Sequence, residues 1–267
     1  MKVIGEIIKL IINAFAVLIK HNQDALKYLF TKALKNETTN FIEKQYYQNY
    51  AHIDKSILLL KKLGADNSII VDVGGADGTT SEIFAKNFEE NKIYVFEPIR
   101  ENFNQIEKKQ KKYSNLILFN KALGNCELNT KINIASRVTS SSIFNLNPDQ
   151  NSSIFSSDLN FCRSEEIIIT TLDNVIAKNI FIGILKLDVQ GYEMEVLKGA
   201  NSSIERTMII VIEMNNHNHY PGAPKYYEID EYLRNRNFSI FDVFPSTKDL
   251  GRLKEWDSIY LNNNFLL

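Results

Sequence analysis

The chain has 267 residues, 44% hydrophobic and 24% charged, an ordinary globular composition that is long enough to bury a sizeable core without staples. Its 31 basic and 32 acidic side chains leave a net charge of -1, so no global field recruits nucleic acid. Two cysteines, Cys126 and Cys162, make neither a disulfide framework nor a metal-ligand spacing, and a reduced, cytoplasmic chain is the simplest expectation.

At the N-terminus Ile4, Ile7, Ile8, Ile11, Phe15, Leu18 and Ile19 recur at helical spacing among Lys2, Glu6, Lys9, Asn13 and Lys20. The apolar run is too short for a membrane-spanning helix, which needs roughly 20 apolar residues, and it lacks a small-residue cleavage site. The expectation is a helix that packs on the main domain or mediates self-association. The alternative is an amphipathic helix on a membrane surface, which would make the protein peripheral to the membrane. A polar stretch from Lys35 to Asn49 and a second amphipathic run from Tyr50 to Leu63 complete a helical extension over residues 1–65, with Gly64 as a helix stop.

From Ser68 short apolar runs alternate with helical patterns. Strands are expected at 68–73, 92–97, 115–119, 182–188, 207–213, 238–243 and 257–261, and helices at 79–89, 99–112, 191–201 and 226–236. This alternation over residues 66–267 predicts an α/β fold, a mostly parallel sheet of about seven strands with helices on both faces. The continuous run Ile209-Ile210-Val211-Ile212 is what a sheet covered on both sides needs. The last strand, Asp257–Leu261, is expected to be antiparallel and to form a hairpin with Phe238–Val243. The basic run Lys108-Lys109-Gln110-Lys111-Lys112 reads as a solvated helix end, where cations complement the helix dipole. One region breaks the alternation. Two weaker strand-like runs, Lys131–Ala135 and Glu166–Thr170, flank a Ser/Asn-rich stretch read as a loop or lid insertion over residues 139–165.

Chemistry concentrates at Val71-Asp72-Val73-Gly74-Gly75-Ala76-Asp77-Gly78-Thr79-Thr80. A strand ends at Val73, a Gly-rich turn follows, and a helix begins near Thr79. Glycines let the backbone approach a ligand, and the helix N-terminus offers free N–H groups. The spacing is not the G-x-G-x-x-G of a dinucleotide site. Glu97, closing the next strand in Val95-Phe96-Glu97-Pro98, is placed to accept hydrogen bonds from ribose hydroxyls. Asp72 discriminates between nucleoside cofactors. A carboxylate there repels a pyrophosphate and suits the sulfonium and ammonium groups of S-adenosylmethionine. The pattern Asp72-x-Gly74-x-Ala76-x-Gly78 matches the D/E-x-G-x-G-x-G loop of class I methyltransferases. Ala76 replaces the middle glycine, a mild departure on the ground that alanine adds one methyl.

The segment Leu185-Lys186-Leu187-Asp188-Val189-Gln190-Gly191-Tyr192-Glu193, continuing to Glu195-Val196-Leu197-Lys198-Gly199-Ala200, resembles the K-x-D-x-E-G-x-E-x-x-x-L-x-G-A segment of the FkbM family of S-adenosylmethionine-dependent methyltransferases. Asn120-Lys121-Ala122-Leu123-Gly124, Thr171-Leu172-Asp173 and Val211-Ile212-Glu213 agree in order. The resemblance covers roughly Ser68 to Leu261, and Gln190 stands where the family usually has Glu. It implies a class I methyltransferase Rossmann-like sheet. The cofactor would then be held at Asp72, Gly74, Gly75, Ala76 and Gly78, with Glu97 on the ribose, Ala122 near the adenine and Asp188 beside the methyl group. It also implies O-methylation of a hydroxyl on a sugar, glycan or glycosylated metabolite.

Candidates for the base or the acceptor-positioning group lie at the carboxyl edge of the sheet: Asp188, Glu213, Lys186 and the loop histidines His217 and His219. Asp188, at the end of the fourth core strand, leads them. No metal-ligand set is read from the sequence. Two other classes compete: an NAD-dependent dehydrogenase or epimerase, disfavoured by Asp72 and the broken glycine spacing, and a non-catalytic binding module that keeps the fold.

Overall fold

The computed structural model describes residues 50–64, 67–135, 141–144, 161–216, 221–249 and 252–266. The amphipathic run at Ile4–Ile19, most of the expected lid, and both His217 and His219 lie outside those residues. Residues 50–63 form a helix, α1, within a compact unit spanning Tyr50–Leu267. Its Ile53, Ile57 and Leu60 recur three and four residues apart, and they are buried against Ile70 and Ile184 of the sheet. The sequence expectation had placed this helix in the extension of residues 1–65. It belongs instead to the main unit, because its apolar stripe and one face of the sheet cover each other.

After α1 come β1 (Ser68–Val73), α2 (Thr79–Asn87), β2 (Ile93–Phe96), α3 (Arg100–Gln110), β3 (Leu116–Phe119), β4 (Ala122–Leu123), β5 (Leu128–Ala135) and β6 (Phe161–Thr170). The chain continues with α4 (Leu172–Val175), β7 (Phe181–Leu187), α5 (Glu193–Lys198), β8 (Thr207–Asn215), α6 (Tyr226–Arg234), β9 (Phe238–Asp249) and β10 (Arg252–Asn262). The expected helix at 191–201 is shorter, since Gly191 at φ +99° cannot start it.

Seven strands form one sheet in the order β3-β2-β1-β7-β8-β10-β9. β1 is parallel to β2 and β7, and β7 to β8, whereas β10 is antiparallel to both β8 and β9. The expected hairpin is present and longer than its signal, with Ser258 opposite Val243 and Leu261 opposite Ser239. Pro245 is tolerated because β9 is the edge strand. Side chains alternate across the sheet. Val71, Leu185 and Ile212 pack on one face with Leu172, Val196 and Leu233, while Ile70, Ile184 and Val211 pack on the other with α1, Phe84 and Ile106. The chain winds outward from β1 to β3 and restarts at β7, so the β1–β7 junction is a topological switch point, where such sheets hold ligands at their carboxyl ends.

A second sheet, β4-β6-β5, buries Ile132, Ile134, Ile167 and Ile169 against Ile99 and Ala122. Residues 161–165, counted in the expected lid, are strand: Arg163 pairs with Ile134 and Glu165 with Ile132. The weak alternation there was a strand with one face outward, Ile168 being exposed. No helix among the described residues is long and apolar enough to cross a membrane. Cys126 and Cys162 are both exposed thiols outside any disulfide.

Candidate active site

The Gly-rich turn is built by backbone contacts at the end of β1. The Phe96 carbonyl accepts the N–H of Gly74 at 3.0 Å and of Gly75 at 3.1 Å, and the Val73 carbonyl accepts the Asp188 N–H at 3.2 Å. Gly74 sits at φ +79°, and a Cβ there would run into the carbonyl oxygen of Asp188. Only glycine fits. Gly78, at φ +77°, precedes α2, and the Asp77 carboxylate accepts the Thr79 N–H at 2.9 Å. Ala76 lies at φ +46°, so the departure at this position is not the volume of a methyl group. It is a left-handed backbone that strains a non-glycine residue by about 1–2 kcal/mol. The Ala76 N–H donates to Glu97 Oε2 at 2.8 Å, which holds that conformation.

Over this turn opens a cavity of about 720 Å³, its open mouth included. Phe96, Ala122 and Leu123 form apolar walls, and Ile132 and Ile143 close the side formed by the second sheet. Ala122, expected near the adenine, lies in this lining. Glu97 and Asp188 are carboxylates in the lining, and no Lys or Arg is among the described lining residues. The donor set fits S-adenosylmethionine: apolar walls for a purine, a carboxylate for ribose hydroxyls, and acids for a sulfonium and an ammonium, with no cation waiting for a phosphate. Glu97 is buried, and its Oε1 accepts the Ile99 N–H at 2.9 Å. Burial pushes its carboxyl up to about 7, against the lowering effect of its hydrogen bonds to Ile99 and Ala76.

Asp72 does not face this cavity. It is fully buried, and its register partner across the β1–β7 pairing is Lys186. Lys186 Nζ lies 3.3 Å from Asp72 Oδ1, an ionic contact without hydrogen-bond geometry, and donates to the Gly74 carbonyl at 3.1 Å. Asp72 Oδ2 accepts the Ser81 hydroxyl at 2.5 Å. The expected direct attraction of Asp72 for the cofactor is therefore corrected: alternation turns it to the face shared with Ile70, and Lys186 neutralises it. Lys186 is equally unavailable to position a hydroxyl. Burial alone would lower its ammonium, but the Asp72 and Asp188 carboxylates outweigh that and raise it.

Asp188 and Glu213 come together as expected. β7 pairs with β8 up to Leu187 opposite Ile212, and the next residues are Asp188 and Glu213; Asp257 of β10 is the register partner of Glu213. Period-two alternation puts these acids on the face that carries Lys186. Asp188 has 42% of its side chain exposed, with Oδ2 at 3.6 Å from Lys186 Nζ. The Gln190 amide nitrogen lies 3.0 Å from Asp188 Oδ1 and 3.0 Å from Glu213 Oε2. Burial, then Asp188 and Glu255, raise Glu213 well above the carboxylate range. Burial and Asp188 raise Asp257 to about 7. Among the described residues no group of three or more His, Cys, Asp or Glu is arranged to hold a metal ion.

The sequence missed two members of this cluster. His52 of α1 brings Nδ1 to 3.4 Å from Asp257 Oδ2. Burial and the Lys186 ammonium push its imidazole down to about 4, so at neutral pH this is a contact of a neutral ring and not an ion pair. Neither residue carries a local signal, since both arrive through long-range packing. Glu193, the first residue of α5, accepts the Val189 and Gly191 N–H groups at Oε1, at 3.1 and 3.2 Å. Its Oε2 is buried without a hydrogen-bond partner, and burial raises the carboxyl to about 7.

Comparison with known proteins agrees with this geometry. The Methyltransferase FkbM domain model matches residues 72–240. No curated protein sequence matches the chain. Among solved structures, an rRNA methylase from Streptococcus thermophilus shares 13% identity at a TM-score of 0.45, covering 79% of this chain and 95% of its own. TrmK from M. capricolum, in complex with S-adenosylhomocysteine, gives 11% and 0.44 over 78% and 67%. Magnesium protoporphyrin IX methyltransferase from Synechocystis, with bound S-adenosylmethionine, gives 10% and 0.43 over 83% and 96%. These likenesses are remote, and the fold rests on the strand order itself. The chain belongs to the FkbM family of methyltransferases, and its cofactor is S-adenosylmethionine.

Proposed function

We propose that the chain transfers the methyl group to an oxygen, a hydroxyl of a sugar, glycan or glycosylated metabolite. The bound cofactor supplies an electrophilic methyl carried on a sulfonium. What remains for the protein is to align an acceptor oxygen with that group and to take its proton. Asp188 is the observation that carries the reading. It lines the cofactor cavity, keeps 42% of its side chain open to an acceptor, and is held by Gln190 and Lys186. Glu213, raised well above the carboxylate range by burial and by Asp188, supplies a protonated carboxyl group beside it, and Asp257, raised to about 7, is protonated in part; such groups donate hydrogen bonds where Asp188 accepts them. A mixed set of acid donors and acceptors suits a polyol. Lys186 contributes only through Asp188.

The Asp188 carboxylate argues against nucleic acid as acceptor, since a polyanion approaching it meets like charge. The rRNA named for one structural neighbour is therefore not carried over. The test supplies methyl-labelled S-adenosylmethionine with a panel of glycosides, polyols, amines and RNA. An alkali-stable methyl ether on a sugar is the expected product. Label confined to amines or to RNA overturns the reading.

A further inference from the structure

Gln190 is pinned on every side. The Val189 and Gly191 N–H groups that flank it both donate to Glu193 Oε1, and its own carbonyl accepts the Ser142 hydroxyl at 2.8 Å. Its backbone is left-handed, at φ +54°, a conformation that a glutamine adopts only when its surroundings impose it. These anchors fix where the side chain goes. The amide nitrogen carries two hydrogens, and it has two acceptors at 3.0 Å, Asp188 Oδ1 and Glu213 Oε2. A carboxylate in this place would have no hydrogen to give to either one.

We propose that Gln190 is a positioning residue: its amide clamps the Asp188 and Glu213 carboxyl groups side by side and so aims Asp188 at the methyl end of the cofactor cavity. Without the clamp, Asp188 has, among the described residues, only Lys186, at 3.6 Å, to hold its side chain, which is then able to turn toward solvent. The inference rests on the reading that Asp188 faces the transferred methyl.

Two cofactor analogues report the position of Asp188 without any turnover. S-adenosylhomocysteine is uncharged at sulfur, whereas sinefungin carries a protonated amine where the methyl group would project. Calorimetry at pH 7.5 on the full chain gives both dissociation constants. Wild type is expected to favour sinefungin by about tenfold, the size of one charge interaction across a partly solvated site. Gln190→Met is expected to lose most of that preference while binding S-adenosylhomocysteine within about threefold of wild type. Gln190→Asn, which tolerates the left-handed backbone but has too short a reach to join both acids, is expected to behave the same way.

A sinefungin preference retained in either variant overturns the clamp and leaves the proposed function standing. Loss of S-adenosylhomocysteine binding in both variants overturns it too, because Gln190 would then be a structural part of the cofactor loop. No preference in wild type removes Asp188 from the methyl position, and the functional reading fails with the clamp.

Discussion

Asp72 and Lys186 are register partners on the two central strands of the sheet, with Lys186 Nζ 3.3 Å from Asp72 Oδ1. Asp72 is completely buried, so removing the ammonium strands a negative charge in the core. Lys186→Met is expected to lower unfolding free energy by about 3–5 kcal/mol in urea titration. The double variant Asp72→Asn/Lys186→Met should recover much of the loss. A single variant within 1 kcal/mol of wild type, on the same scale, would show that the pair is not structural.

Glu97 organises the cofactor turn through the Ala76 and Ile99 N–H groups and presents its carboxyl to the cavity. On the proposal that Glu97 accepts the ribose hydroxyls, Glu97→Ala leaves them and both N–H donors without an acceptor. S-adenosylhomocysteine affinity should fall by ~1.5–3 kcal/mol, roughly ten- to a hundredfold. Unchanged affinity by calorimetry would remove Glu97 from the ribose site.

Asp188→Asn keeps the shape of the side chain and removes its charge. Turnover is expected to fall by roughly tenfold or more, with S-adenosylhomocysteine affinity nearly intact, as for a positioned base. Turnover that survives in this variant and collapses in His217→Ala would assign the proton transfer to the histidine.

Glu193 gives a pH prediction with a definite sign. Its folded carboxyl stands near 7 and its ordinary value is 4.5, so the stability it contributes is complete below 4.5 and is lost as pH rises through 7. Glu193→Gln keeps an oxygen for the Val189 and Gly191 N–H groups and cannot ionise. The variant should match wild type at pH 4.5 and exceed it at pH 8.5, by up to about 3 kcal/mol. A variant less stable than wild type at pH 8.5 would mean that the carboxylate is stabilised in the fold.

The sequence carried the sheet well because a buried parallel strand announces itself. Ile209 to Ile212 are buried on both faces, and the Phe238–Val243 and Asp257–Leu261 runs do pair. Asp188 and Glu213 were legible as strand-end acids in an architecture that binds ligands at strand ends. Asp72 was misread for a definite reason. Its residue type was visible, but which way it points and what faces it depend on the register between β1 and β7, which one sequence does not state. His52 and Asp257 meet through an α1 packing contact and the β8–β10 register, so no local pattern could join them. The strain at Ala76 was hidden as well, because a motif records the residue and not its φ.

The contact between Gly74 and the Asp188 carbonyl leaves room for a hydrogen atom and nothing larger. The turn under the cofactor and the proposed acid are therefore separated by a fixed thickness of backbone, with no side chain between them to adjust. A substitution at position 74 would have to pry β1 and β7 apart at the ends that carry these two functions. Cofactor affinity and methyl transfer would then fail together, so acceptor preference in this scaffold has to be retuned elsewhere, from the far wall built by the second sheet and the segment around Ser141.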